Sequence, residues 1–278
     1  MNRIEARAQF AALAARSEAE LEMDRAAFLI AAEEYPDLDV EQYLERMNSI
    51  AAGVRLAVPS AADPLTRIMR FSHFLSEELG FTGNTANYYD PRNSFLNDVI
   101  DRRTGIPITL SVLYIEIARR IGLNLSGVGM PGHFIVKYPD DEQEVFLDPF
   151  NGGQLLAEER CREMIEQMYG GAMPFRPEFL QAVTKRQILT RILQNLKGIY
   201  SREQDYTKTL ALIERSLALD PDSATELRDR GLIYFALERH AQALADLEEY
   251  LRRTPLADDE KQVRERIKQL RQRQARLN

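Results

Sequence analysis

His133 and Asp148 are the two residues of this chain whose types and spacing could do covalent chemistry together. They stand in the segments PGHFIVKY and EVFLDPFNGG, with the polar stretch PDDEQ between them. An imidazole beside a carboxylate is a general base held in one tautomer, two parts of a three-part device. The third part is a nucleophile at a helix N-terminus, where the helix dipole lowers the pKa of a thiol. A helix over 107–121 does precede the two segments, so the order is helix, His strand, Asp strand. That helix opens with Pro107, Ile108 and Thr109, and no cysteine occurs before Cys161.

Other residues could supply a nucleophile. Thr109 and Ser111 lie in the first turns of the helix, but a hydroxyl needs a well-aligned base far more than a thiol does. The plainer expectation for both is a small polar residue satisfied near the helix start. Cys161 follows Asp148, which reverses the required order, and it shares the stripe Ala157, Cys161, Met164, Ile165, Met168 with residues of a core face. Asn93, Asn97 and Arg102 before the helix, and Asn151 after Asp148, are candidates to line a cleft beside His133. They are equally suited to capping helices. Three histidines and one cysteine far apart have no metal-ligand spacing, and no cofactor is expected.

The elements that must position these residues are mostly helical. Apolar residues at three- and four-residue spacing predict helices over 3–16, 18–34, 39–57 and 65–79. Asp39 and Asp63 are their N-caps, and Pro36, Pro59, Pro64 and Gly80 punctuate them. Ser94 caps a short helix over 94–103. The helix 107–121 is apolar almost all round, as a central buried helix must be. Pro107 suits its first position, and Gly122 its C′ position. Residues 127–138 and 144–148 read as two strands joined at PDDEQ, so the sheet is small and antiparallel. A helix over 157–168 follows.

From about 178 onward the pattern is helical and periodic. Gly231, Tyr234, Ala243, Leu247 and Pro255 mark residues 224–257, and a shift of 34 places sets Tyr200, Ile213 and Pro221 under Tyr234, Leu247 and Pro255. A helix–turn–helix period of this length resembles the tetratricopeptide repeat. The repeats fall at about 190–223 and 224–257, with a capping helix over 258–276.

With 278 residues and 45% hydrophobic content, the chain can bury a sizeable core. No stretch is apolar enough to span a membrane, and the acids near the N-terminus do not fit a signal peptide. A single cysteine suits a reducing cytoplasm. Residues 182–278 carry 19 Lys/Arg against 15 Asp/Glu, a net of +4, while residues 1–181 carry 17 against 28, a net of −11. The contrast implies two domains, 1–177 and 178–278. The basic run from Arg264 to Arg276 could meet RNA. A solvated helix face is the simpler expectation, and nothing aromatic is interleaved there for base stacking.

The segments GIPITLSVLYIEIARRIGL, PGHFIVKY and FLDPFNGG, together with the repeats, resemble the SirB-type bacterial family, a transglutaminase-like core followed by tetratricopeptide repeats. The resemblance implies a predominantly helical α+β fold: a degenerate papain-like core with a small antiparallel sheet, then α-helical repeats. It matches His133 and Asp148 to the family's histidine and aspartate. It puts the family's cysteine about fifteen residues before the Leu-Gly that closes the helix, which is Pro107 here. The leading expectation is a regulatory or protein-interaction protein that has lost its nucleophile and grips a protein or peptide in the repeat groove. Arg191, Gln194, Asn195, Arg202, Arg228 and Asp229 would line that groove and offer charge-assisted bonds. The rival expectation is amide hydrolysis or acyl transfer by Ser111 or Thr109 with His133 and Asp148.

Overall fold

The computed structural model describes residues 2–59, 62–139 and 144–277, with side chains through Arg273. The chain forms two compact units, Met1–Ile192 and Leu193–Asn278. Among the described residues no helix is long and apolar enough to cross a membrane.

The first unit opens with α1 (Arg3–Ala14), α2 (Met23–Ala31), α3 (Val40–Ala57) and α4 (Pro64–His73). Asn2, Asp39 and Asp63 each accept a first-turn backbone N–H and so cap α1, α3 and α4. The helix expected over 18–34 is shorter than its pattern. Residues 17–21 instead form a turn in which the Glu20 carboxylate accepts from the Ser17 hydroxyl and amide, and α2 begins only at Met23. The last turn after α4, Phe74–Glu78, widens to π-helical geometry.

Next come β1 (Thr82–Gly83), a 3-10 turn at Pro91–Asn93, α5 (Leu96–Arg102) and β2 (Thr104–Gly105), with β1 and β2 paired in parallel. The expected Ser94 cap is not formed: the N-cap position is Phe95, which has no side-chain acceptor. Then α6 (Pro107–Arg120) runs through the middle of the unit. Every residue from Pro107 to Ala118 is buried. Such a helix draws its stability from packing on all sides and not from helix propensity.

The β region exceeds the expected two strands. A five-stranded antiparallel sheet has the order β6-β5-β4-β3-β7, built from β3 (Ser126–Val128), β4 (Ile135–Tyr138), β5 (Val145–Asp148), β6 (Gln154–Leu156) and β7 (Ala182–Val183). The single strand expected over 127–138 is a hairpin of β3 and β4, and His133 lies in its connection, not on a strand. Alternation of apolar residues continues through Met130 and Phe134, so period alone hides the break. Pro131 and Gly132 make it, with Gly132 at φ +72°, a conformation costly for any other residue. The PDDEQ turn falls largely outside the described residues. Between β6 and β7, α7 (Glu158–Tyr169) packs Cys161 and Ile165 against Val128, Ile135, Phe146 and Leu156. Its expected core stripe is narrower than its spacing implied, since Ala157 and Met168 are exposed.

The remaining elements are α8 (Lys185–Arg202), α9 (Tyr206–Leu219), α10 (Ala224–Ala236), α11 (His240–Arg253) and α12 (Glu260–Leu277). Division between the two units falls inside α8. In the second unit the repeat signature has a direct packing meaning. Tyr234, Ala243, Leu247 and Tyr250 share a buried cluster with Val263, Ile267 and Leu270 of α12. At Gly231, α10 approaches α11 so closely that an added Cβ would stand 2.8 Å from Leu247 Cγ. Replacement of Gly231 by Val is therefore expected to cost about 1–3 kcal/mol by overpacking, read as a lowered urea midpoint of the full chain by circular dichroism. An unchanged midpoint would mean the two helices separate freely.

Candidate functional site

Asp148 is the last residue of β5, and the chain turns immediately after it. Its Oδ1 accepts from the Phe150 amide at 3.1 Å and the Asn151 amide at 3.2 Å, while Oδ2 accepts from Asn151 Nδ2 at 2.7 Å. Oδ2 also lies 2.8 Å from His133 Nε2. Burial by itself would raise this carboxyl's pKa. The bond to His133, the field of that ring and the bonds from Asn151 outweigh burial and hold the pKa below its ordinary value. The sheet sets the meeting: β4 and β5 pair Val136 with Leu147, so the same register brings Ile135 opposite Asp148. His133, two residues earlier, reaches the carboxylate from the loop.

His133 is buried, with 8% of its surface exposed. The ring of Phe150 meets it edge-on at 6.1 Å, and Tyr88 in turn packs on Phe150 at 6.0 Å. Among the described residues nothing hydrogen-bonds to Nδ1. In a thiol-nucleophile site, a histidine oriented through one nitrogen turns the other toward the nucleophile.

No such nucleophile stands at the start of α6. Pro107 occupies the first helical position. The Thr109 hydroxyl donates to the Asn93 carbonyl at 2.6 Å and accepts from the Ile106 amide at 3.3 Å, closing the first turn from within. Ser111 is fully buried, and its Oγ has no partner among the described residues.

The cleft candidates have separate places. Asn93 is fully buried and saturated: its Nδ2 donates to the carbonyls of Asn87 and Tyr88, and its Oδ1 accepts from Asn84 and, at 3.4 Å, from Arg102. It ties the loop before α5 to the start of α6. Arg102 also reaches Asp90 at 3.5 Å. Asn97 is buried on α5, its Oδ1 without a partner among the described residues. Asn151 alone of these candidates touches the His–Asp pair. Cys161 is fully buried in the sheet–helix core, where burial pushes its thiol up to about 12. A thiol so placed is neither ionised nor reachable. Among the described residues no group of His, Cys, Asp or Glu could hold a metal ion.

Sequence reasoning missed the aromatic cover of Phe150 and Tyr88, and also a charged cavity elsewhere in this unit. Glu116 and Asp24, both buried, share Arg119 and Arg120. With Lys185 they line a cavity of about 410 Å³. Burial, then the field of Asp24, pushes the Glu116 carboxyl up, whereas Arg120 holds Asp24 down against its own burial. One signal was available: Glu116 is the lone acid inside an otherwise apolar helix.

In the second unit, a cavity of about 230 Å³ lies against α8, α9 and α10, lined by Gln194, Lys197, Ser201, Ile213, Asp229 and Leu232. Of the six groove candidates, Gln194 and Asp229 are among its lining residues. Asn195, Arg202 and Arg228 are not, and Arg228 instead pairs with Asp229 and Asp259. Arg191 belongs to the first unit, its guanidinium 6.0 Å from the Phe134 ring and its Nη2 3.5 Å from the His133 carbonyl. Gln194 and Asn195 are one residue apart on α8, and that rotation alone separates a lining position from one that is not. Lys197, which donates to Glu226 at 2.6 Å and Asp229 at 3.0 Å, was missed although it follows Gln194 by three residues on the same face.

Comparison with known proteins agrees with this division. Residues 41–194 match the family described as the transglutaminase-like superfamily, and residues 196–272 match the tetratricopeptide repeat. A UPF0162 protein of Xylella fastidiosa is 40% identical over 241 residues, 86% of either chain. A UPF0162 protein of Vibrio cholerae is 29% identical over 221 residues, 79% of this chain and 82% of its own length. Human F-box only protein 21 is 30% identical over 177 residues, 60% of this chain and 27% of that protein.

Two outcomes test the geometry. Asp148 has a lowered folded-state pKa, so its stabilisation is fully present above the unfolded value of about 3.9 and is lost as pH falls through the folded value. Asp148→Asn should cost about 1–3 kcal/mol at pH 7, with the gap from wild type narrowing below pH 4 in urea titrations. A gap that persists in acid would deny the ionised Asp148 carboxylate. Cys161 should react with a disulfide thiol reagent at pH 8 only after denaturation; rapid labelling of native protein would contradict its placement.

Proposed function

The chain belongs to the transglutaminase-like superfamily, in the SirB-type bacterial form that adds tetratricopeptide repeats, and from that membership we propose a non-catalytic regulatory protein that acts by holding a partner. One observation carries this proposal. The helix start that should present a nucleophile to His133 presents Pro107, and the nearest hydroxyl, on Thr109, already closes the helix cap. Without an attacking atom, an oriented imidazole has no acyl group to transfer.

In this proposal His133 and Asp148 serve architecture. The carboxylate ends β5, gathers the turn that follows and anchors the β3–β4 connection through the ring. The working surface is the repeat unit, since repeats of this kind generally bind proteins or peptides. Its cavity beside Gln194 and Asp229 offers an apolar wall from Ile213 and Leu232 next to the ionic cluster of Lys197, Glu226 and Asp229. A peptide carrying an apolar side chain and a polar neighbour suits such a wall. A cytoplasmic setting fits the single buried thiol.

The rival reading is a serine hydrolase, and one observation favours it: the unpartnered Ser111 hydroxyl. Against it stands the complete burial of that residue.

Wild type, His133→Ala and Ser111→Ala should be assayed together for peptide-amide hydrolysis and for amine transfer to glutamine peptides. All three are expected at background, and wild-type turnover abolished in His133→Ala would overturn the proposal. Gln194 is exposed, so Gln194→Trp fills the cavity without disturbing the core. Protein captured from native lysate by wild type should be lost with Gln194→Trp and retained with His133→Ala.

A further inference from the structure

A second groove lies in the repeat unit, away from the cavity just described. It runs between α11 and α12, has a volume of about 510 Å³, and is lined by Leu251 and Ile267 at its floor and by Arg264, Lys268 and Arg271 along one wall. Its opposite wall offers Glu248, already 2.7 Å from Arg271. Between Glu260 and Arg273, α12 carries six Lys/Arg against two Glu.

The repeat period says what belongs there. Helix α12 meets α11 much as α10 meets α9, and along α10 lies a further helix, α11 itself. In that inner pairing Arg230 of α10 grips Asp246 of α11 with two bonds, Nε at 2.6 Å and Nη2 at 2.8 Å. The next residue of α11, Leu247, is fully buried against α10. A shift of 34 places carries Arg230 to Arg264 and Ile233 to Ile267. So α12 repeats the guanidinium that α10 uses to receive a helix. Among the described residues its principal neighbour is α11 alone.

We propose that the α11–α12 groove receives an acidic amphipathic helix from a partner protein, which lies along α12 as α11 lies along α10. An Asp or Glu of that helix would take Arg264 as Asp246 takes Arg230, and a Leu beside it would cover Leu251, which is only half-buried. Existing bonds do not compete strongly. Arg264 is held by Glu260 one turn away, Lys268 lies 4.0 Å from Glu265, and all three basic side chains of the wall are about two-thirds exposed. Exposed ion pairs of this kind are weak and exchange readily for a desolvated bidentate pair. An apolar floor distinguishes this site from one for RNA, whose phosphates would use the basic wall and leave the floor empty.

The test uses the full chain and three fluorescent probes read by anisotropy: a synthetic acidic amphipathic helix with a Leu stripe, a scramble of the same composition, and a single-stranded RNA dodecamer. The amphipathic peptide should bind at least tenfold tighter than the scramble. The double variant Arg264→Glu, Lys268→Glu, on exposed positions and checked for native helicity, should weaken it at least tenfold. Gln194→Trp should leave it unchanged. Equal binding of the scramble, tighter binding of RNA, no effect of charge reversal, or loss with Gln194→Trp would each overturn the assignment; the last would locate the peptide in the other cavity and leave the proposed function standing.

Discussion

The first unit depends on a helix that is buried from Pro107 to Ala118. Apolar side chains on all its faces let elements pack around it, yet each polar group it carries into the interior must find a partner or destabilise the fold. Thr109 meets Asn93, which in turn gathers the loop before α5. Glu116 meets Arg119 and Arg120, which reach Asp24 on α2. These bonds give a hydrophobic bundle its specific arrangement, because each fixes one neighbour of α6 in one register. Ser111 and Tyr114 are the exceptions, their buried hydroxyls without a hydrogen-bond partner among the described residues.

The same constraint shapes the start of α6, ahead of the His133–Asp148 pair. A reactive group at the start of α6 must be reachable and acidic. Here that position holds proline, and the adjacent threonine has become a cap. Asp148 loses nothing by the change, since three of its four hydrogen bonds come from the turn it closes and only the fourth from His133. A carboxylate held mainly by its own turn is useful to the fold whatever the histidine does.

The repeat unit follows different physics. Each helix pair packs chiefly on its neighbours, so the 34-residue period announced both the elements and part of their core: Tyr234, Ala243 and Leu247 are all buried. The groove residues were less legible. Facing direction on a helix changes by about 100° per residue, and of the six candidate positions on α8 and α10 only Gln194 and Asp229 line the cavity. Lys197 escaped notice because a lysine in a mixed helix reads as solvated until its two carboxylate partners, Glu226 and Asp229, are brought from another helix.

Sequence alone determined the features that depend on near neighbours. These are the caps at Asp39 and Asp63, the buried character of 107–121 with Pro107 and Gly122 at its ends, the repeat period, and the absence of a thiol where the motif needs one. Tertiary structure decided what depends on residues distant in the chain. It made 127–138 a hairpin and put His133 in its connection, beyond the end of the β4–β5 pairing. It assembled five strands where alternation showed two, since β6 and β7 are too short to show a period of their own. It joined Glu116 to Asp24 across 92 positions through two arginines. Local pattern records which face a residue prefers; only packing determines which distant charge or hydroxyl will lie within 3 Å of it.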